Sequence, residues 1–207
     1  MYMTQKPKLL VFVDEANITK AASKLFNKNF DWLKFRSFFQ QYGDPPHDLV
    51  EMVVYVGLPP AVADWQDKRE SKRNYVNWLK SQGFMVYVKE GSPKADGWYK
   101  ANVDVIMAID AVELSLRIKP NAVALVTGDA DFAHLATTIR REGIKVEVAS
   151  VPQILSGELK ISANNFIDLT ELFESFDDLD APSQIANQYQ ILTKNGKETK
   201  NGGIVTV

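Results

Sequence analysis

AVALVTGDADFAHLATTIRREGIKVEVAS, residues 122 to 150, decides the fold. It opens on the apolar run AVALV, passes through the acidic turn TGDAD, continues as DFAHLATTIRREG (131 to 143) with apolar residues at helical spacing, and closes on the β-branched run KVEVAS. Two short runs rich in apolar and β-branched residues, bounded by charge or glycine, read as strands buried on both faces. A helix that ends on glycine joins them. Strand, helix and strand in that order make a βαβ unit, whose parallel pairing requires a right-handed crossover.

The same grammar extends outward. LLVFV (9 to 13), MVVYVG (52 to 57) and FMVYV (84 to 88) read as further buried strands, and NFIDL (165 to 169) offers a short sixth. Helical spacing recurs in DWLKFRSFFQQYG (31 to 43), AVADWQDKRESKRNYVNWLKSQG (61 to 83) and VDVIMAIDAVELSLRI (103 to 118). The expectation is an α/β fold, a mainly parallel sheet of five to six strands with helices on both faces. Trp32, Phe35, Phe38 and Phe39 fall at helical spacing and belong to its core. From Asp177 the composition turns acidic and then glycine-rich, so residues 1–176 are expected to form the domain. Residues 177–207 would be a tail, held as a packing arm or as a hairpin turning at Asn195-Gly196 or Asn201-Gly202.

Composition removes several function classes. The 207 residues hold no cysteine, which excludes disulfides, thiolate nucleophiles and thiolate metal sites. Any metal must sit on oxygens. Lys+Arg 24 against Asp+Glu 26 gives a formal net charge of -2, so a nucleic acid would have to be held by a local basic patch. The run LLVFV is too short to span a membrane and no cleavage-site pattern follows it, which points to a soluble, cytoplasmic protein with no membrane partner. A homodimer is compatible with the sequence, which does not fix the oligomeric state.

In an open α/β sheet the binding crevice lies at the carboxyl ends of the strands. Asp14 follows LLVFV, Asp129 and Asp131 follow AVALV, and Asp104 opens the helix VDVIMAID. If the first and fourth strands are neighbours, these carboxylates converge, and a hard divalent cation offsets their repulsion. Each also has a plainer reading. Asp129 or Asp131 could cap the helix that follows, and Asp104 could be a cap or a first-turn acid. Asp14, at the end of a fully apolar run, most needs a partner, and Asn17 could be a turn residue or part of the same site. Asp110 and Glu113 rotate by about 240° and 180° from Asp104, so they leave the crevice. Asp110 reads as a structural acid, Glu113 as an i,i+4 partner of Arg117, and Glu15 as a weak candidate in a loop.

VFVDEAN, KANVDVIMAIDA, LVTGDADFAHLATTIRREGIKVEV and ANNFIDL, in that order over residues 8 to 172, resemble the NYN-domain, LabA-like branch of the PIN-like ribonucleases. The resemblance implies a Rossmann-like (PIN-like) sheet and a metal-dependent nuclease centre using Mg2+ or Mn2+, with Asp14, Asn17, Asp104, Asp129 and Asp131 at the motif positions. The chain departs from the pattern at Glu15, where glycine is expected, and at Ala101-Asn102 before Val103-Asp104.

Candidate RNA contacts come from charge and aromatics. Lys68, Arg69, Lys72 and Arg73 are spaced to share a helix face, with Asp67 and Glu70 diluting them. Trp98, Tyr99 and Lys100 lie in the glycine-rich connector GSPKADGWYKAN just before Asp104, where a flap could stack a base and contact a phosphate, or simply pack onto the core. Thr127 and Gly128 would admit a phosphate oxygen, and Lys20, Lys24 and Lys28 would form a rim. His47 and His134 are the only histidines and lack metal-binding spacing, so packed or solvent-facing roles suit them better than catalysis.

The first expectation is therefore a metal-dependent ribonuclease acting through Asp14, Asp104, Asp129 and Asp131. The main rival is a non-catalytic RNA-binding or regulatory module with the same acidic crevice. A phospho-acceptor domain lacks its D-x-D-x-T type loop here, and a dinucleotide site lacks its glycine-rich turn.

Overall fold

In this computed structural model the chain is described over residues 6–94 and 99–179. Trp98, the segment 180–207 and the hairpin turns expected within it lie outside those residues.

Six parallel strands form the sheet: β1 (Lys8–Asp14), β2 (Asp48–Leu58), β3 (Met85–Glu90), β6 (Ala122–Val126), β7 (Lys145–Ser150) and β8 (Asn165–Asp168). Their spatial order is β3-β2-β1-β6-β7-β8. Counted within the sheet this is third, second, first, fourth, fifth, sixth, and the order reverses between β1 and β6. The two central strands pair in register from Leu9 with Ala122 to Val13 with Val126. A further two-residue ladder joins β4 (Ser92–Pro93) to β5 (Tyr99–Lys100), antiparallel, within the connector read from sequence as a flap.

Alternation along each strand divides the core. Leu9, Val11 and Val13 face α1 (Glu15–Phe26), α2 (Trp32–Gln41), α3 (Gln66–Ser81) and α7 (Thr170–Glu174), with Trp32, Phe35, Phe39 and Phe173 filling the layer. Leu10 and Phe12 face α4 (Asp104–Ile118), α5 (Ala133–Arg141) and α6 (Gly157–Ser162). Leu9 to Val13 are all fully buried, and burying each such side chain contributes about 1.5–3 kcal/mol. Gly83 and Gly143, after α3 and α5, take φ of 83° and 78°, the left-handed conformation that stops a helix. No helix among the described residues is long and apolar enough to cross a membrane.

Residues 17–30, read from sequence as a basic rim, are mostly helix α1. Ile18, Ala21 and Ala22 anchor it to the core, but the intervening polar residues dilute the apolar spacing. Asp14 closes β1 and caps α1 at once, leaving no turn between strand and helix for the sequence to announce. Beyond Phe176 the chain still pairs with the end of α1: Asn29 N–H donates to Asp177 O and Leu179 N–H to Asn27 O.

Candidate active site

The reversal between β1 and β6 opens a crevice at their carboxyl ends, where an α/β sheet splays its connections apart. Asp14 is the last residue of β1 and only 7% exposed. Its Oδ1 accepts the N–H of Asn17 at 3.2 Å, capping α1. Burial, opposed by that bond and reinforced by Asp104, Glu15 and Asp129, pushes its pKa up to about 6. Asp104, half-buried in the first turn of α4, is likewise raised, first by burial and then by Asp129, while Lys100 partly counters this. The aspartates after β6 thus act electrostatically on those of β1 and α4.

After β6 the loop is held by its own polar groups. Thr127 Oγ1 accepts Asp129 N–H at 3.2 Å, and Asp129 Oδ1 accepts Asp131 N–H at 3.0 Å, capping the 3-10 turn Ala130–Phe132. Both readings of Asp129, cap and crevice acid, therefore hold together. Asn17 reaches across the crevice, its Oδ1 accepting Gly128 N–H at 2.9 Å. A cleft of about 400 Å³ lies over this point, lined by Asp14, Asn17 and Asp104 and by Lys20, Lys24 and Lys100. Its acids are buried or half-buried and its lysines are exposed.

Several sequence candidates take other roles. Thr127, expected at a phosphate, is fully buried and its hydroxyl serves Asp129. Asn17 spends its carbonyl on Gly128. Glu15, expected in a loop, is the first residue of α1, and Lys72 Nζ binds both its oxygens at 2.8 Å. That ion pair ties down Lys72 and gives Glu15 a cationic partner, although its carboxylate still adds to the upward push on Asp14. Arg69 is also committed, donating to Pro59 O and pairing with Glu90 at 2.9 Å. Lys68 stands over the Trp65 ring at 4.7 Å and Arg73 is exposed. The four cations thus do not form one stripe, because steps of 100° carry neighbours to different partners.

Tyr99 favours the packing alternative. Its hydroxyl donates to Gly57 O at 3.3 Å, its ring meets Trp65 edge-on at 5.2 Å, and it fills the space over Gly91, where a Cβ would come within 2.4 Å of it. Lys100 remains exposed beside the cleft. Asp110 accepts a bond from the buried Tyr55 hydroxyl at 3.0 Å, and Glu113 pairs with Arg117. His134 is exposed, and His47 Nδ1 lies 2.9 Å from Tyr42 O. Sequence reasoning missed Ile154, whose carbonyl closes over Gly128; nothing in its local sequence signals this.

The sequence model of the NYN domain matches residues 8–171, most of the chain. This chain belongs to the NYN-domain family. It is similar to the low amplitude and bright protein LabA of Synechococcus elongatus, with 26% identity over 171 residues, 80% of this chain and 85% of that protein. A crystal structure of a protein of unknown function from Vibrio parahaemolyticus superposes with a TM-score of 0.63 at 29% identity, covering 82% of this chain and 96% of the other. The NYN domain is a PIN-like, nuclease-related module, and the six-stranded parallel sheet is the Rossmann-like one that the sequence implied.

The NYN crevice suits a divalent cation in donor chemistry: its acids are hard carboxylate oxygens, and the mutual repulsion of Asp14, Asp104 and Asp129 is the cost a cation offsets. It is not a closed cage. Among the described residues no three His, Cys, Asp or Glu side chains are arranged as a metal-binding group. Asp14 and Asp129 each commit Oδ1 to a cap, and Asp131 is exposed.

Proposed function

We propose that this NYN domain is a metal-dependent ribonuclease that hydrolyses RNA phosphodiester bonds at Asp14, Asp104, Asp129 and Asp131. The observation that carries this reading is Asp14: a carboxylate at the switch point of the sheet, nearly buried, whose charged neighbours are themselves acids. A purely structural acid so placed would be paired with a cation, as Glu15 is with Lys72. Asp14 instead keeps a charge-starved position that favours a bound cation.

Mg2+ or Mn2+ would be held by Asp14 and Asp104, which line the cleft, with Asp129 and Asp131 adding negative charge from the loop after β6; such an ion keeps several waters and needs only one or two direct carboxylates. Once bound, it supplies a more acidic water and stabilises charge on the departing 3′-oxygen. The protein's own residues do the rest. Lys100, Lys20 and Lys24 draw the phosphodiester backbone to the cleft, and Lys100 also partly offsets the upward push on the Asp104 carboxyl from burial and Asp129. Asn17 keeps the loop after β6 at a fixed distance from the end of β1.

The test is cleavage of labelled RNA in Mn2+ by the wild type and by Asp129→Asn, with melting temperatures alongside. Asparagine retains the cap acceptor for Asp131 N–H while removing the charge, so folding is expected to persist and cleavage to fall by at least about a hundredfold. Well-folded wild type that cleaves no RNA would instead support a binding or regulatory module.

A further inference from the structure

A second cleft of about 760 Å³ lies between α1 and α3. It differs chemically from the acidic crevice. Four lysines line it, Lys20, Lys28, Lys68 and Lys72, against the acids Glu15 and Asp67, and Lys72 already neutralises Glu15. Lys28 is paired outward with Asp178, which leaves Lys20 and Lys68 as its exposed cations. Thr19, Ser23 and Ser71 add hydroxyls, and half-buried Phe30, packed against Trp32, and Tyr75, whose ring carries Lys72 Nζ at 4.7 Å, add apolar wall.

Helix α1 is the ridge between the two clefts. Asn17, Ala21 and Lys24 line the crevice, spaced three and four residues apart, while Thr19 and Ser23 line the groove. Lys20 lines both. A chain bound at Asp14 that continues over the ridge meets Lys20 and then a channel with lysines, hydroxyls and a partly apolar wall, a combination suited to an unpaired nucleic-acid strand. An apolar wall inside a groove is of use to bases free of a partner strand, whereas a duplex is held by its shape over about 16 base pairs.

We infer that the α1–α3 groove is a subsite for single-stranded RNA flanking the bond positioned in the acidic crevice, with Lys20 the phosphate contact at the crossing and Lys68 a phosphate contact within the groove. The inference rests on the ribonuclease reading for where the strand enters, and binding measurements test it separately.

The experiment uses the full chain in EDTA and fluorescence anisotropy with labelled single-stranded RNAs of about four and about twelve nucleotides and with a duplex of the longer sequence. The wild type is expected to bind the longer strand about tenfold more tightly than the shorter, and more tightly than the duplex. In Lys68→Glu/Ser71→Glu, both at exposed positions of α3, that advantage is expected to shrink below about twofold, with a shallower salt dependence. A length advantage that survives this double substitution, one that is absent from the wild type, or a duplex bound as tightly as the single strand overturns the subsite. Cleavage measured in Mn2+ separates the two readings. A wild type that does not cleave but shows the Lys68-dependent length advantage sinks hydrolysis and supports the groove. One that cleaves short and long strands with equal kcat/KM sinks the groove and leaves hydrolysis standing.

Discussion

Asn17 and Gly128, separated by 111 residues, are joined across the strand-end crevice by a 2.9 Å hydrogen bond in which the Gly128 N–H donates to the Asn17 carbonyl. One partner is in the first turn of α1 and the other follows β6, so the bond fixes the distance between the two acid-bearing loops. Gly128 is buried, and removing its acceptor leaves an N–H without water or partner. Asn17→Ala is expected to destabilise the protein by about 1–3 kcal/mol, read from urea unfolding, and to speed amide exchange at Gly128 above that of β6 itself. Unchanged exchange there would show that the bond holds nothing in place.

Gly128 has a second constraint. A Cβ added to it would stand 2.2 Å from the Ile154 carbonyl oxygen, a backbone atom that no side-chain rotation can move. Gly128→Ala therefore has to displace either the loop after β6 or that after β7, at a cost of about 1–3 kcal/mol. Because Asp129 is the next residue, RNA cleavage is expected to fall further than this loss of stability accounts for. Wild-type melting and cleavage in Gly128→Ala would mean that the Ile154 segment yields freely.

How much of this was legible in the sequence depends on the length scale of the signal. The βαβ unit from Ala122 to Ser150, the strand ends carrying Asp14 and Asp129, and the glycine stops at Gly83 and Gly143 are local patterns, and the fold reproduces them. Neighbouring first and fourth strands followed from general rules of doubly wound sheets. Helix α1 was hidden because Asp14 ends a strand and caps a helix in the same residue. Side-chain commitments were illegible for a different reason. Lys72 and Arg69 have the same spacing as free surface cations, and only the approach of Glu15 and Glu90 from distant parts of the chain turns them into structural clamps. The same holds for Thr127 and for Ile154, whose partners are set by loop conformation.

The clamp between Lys72 and Glu15 predicts a coupled energy. The Glu15 side chain is 5% exposed, so Lys72→Met leaves a nearly buried carboxylate whose remaining side-chain contact is Thr19 Oγ1 at 3.3 Å. Because Lys72 itself is 25% exposed, the loss should fall below the full cost of breaking a buried pair, at about 2–3 kcal/mol. Adding Glu15→Gln removes the stranded charge and is expected to recover at least half of it. Additive losses in this double-mutant cycle, measured by urea unfolding, would rule out a direct pair.

Asp14 gives the fold a pH dependence whose sign can be worked out. Its folded pKa is about 6 against 3.8 for the ordinary group, so the folded protein holds a proton that the unfolded chain has released. The stabilisation is fully present below pH 3.8 and is lost as the pH rises through about 6. Over that window the metal-free wild type is expected to lose up to about 3 kcal/mol relative to Asp14→Asn, which keeps a cap acceptor for Asn17 N–H but has no proton to release. The comparison between the two proteins cancels titrations of groups remote from Asp14, leaving Asp14 and the acids coupled to it. Above pH 6 a divalent cation is expected to restore the wild type's melting temperature in a concentration-dependent way and to leave Asp14→Asn unmoved, because only a ligand that prefers the folded, ionised carboxylate can shift the equilibrium. Parallel stability curves for the two proteins between pH 4 and pH 8, with no response to Mn2+, would mean that Asp14 is neither raised by burial and its acidic neighbours nor available to a cation, and the ribonuclease reading would lose the residue on which it stands.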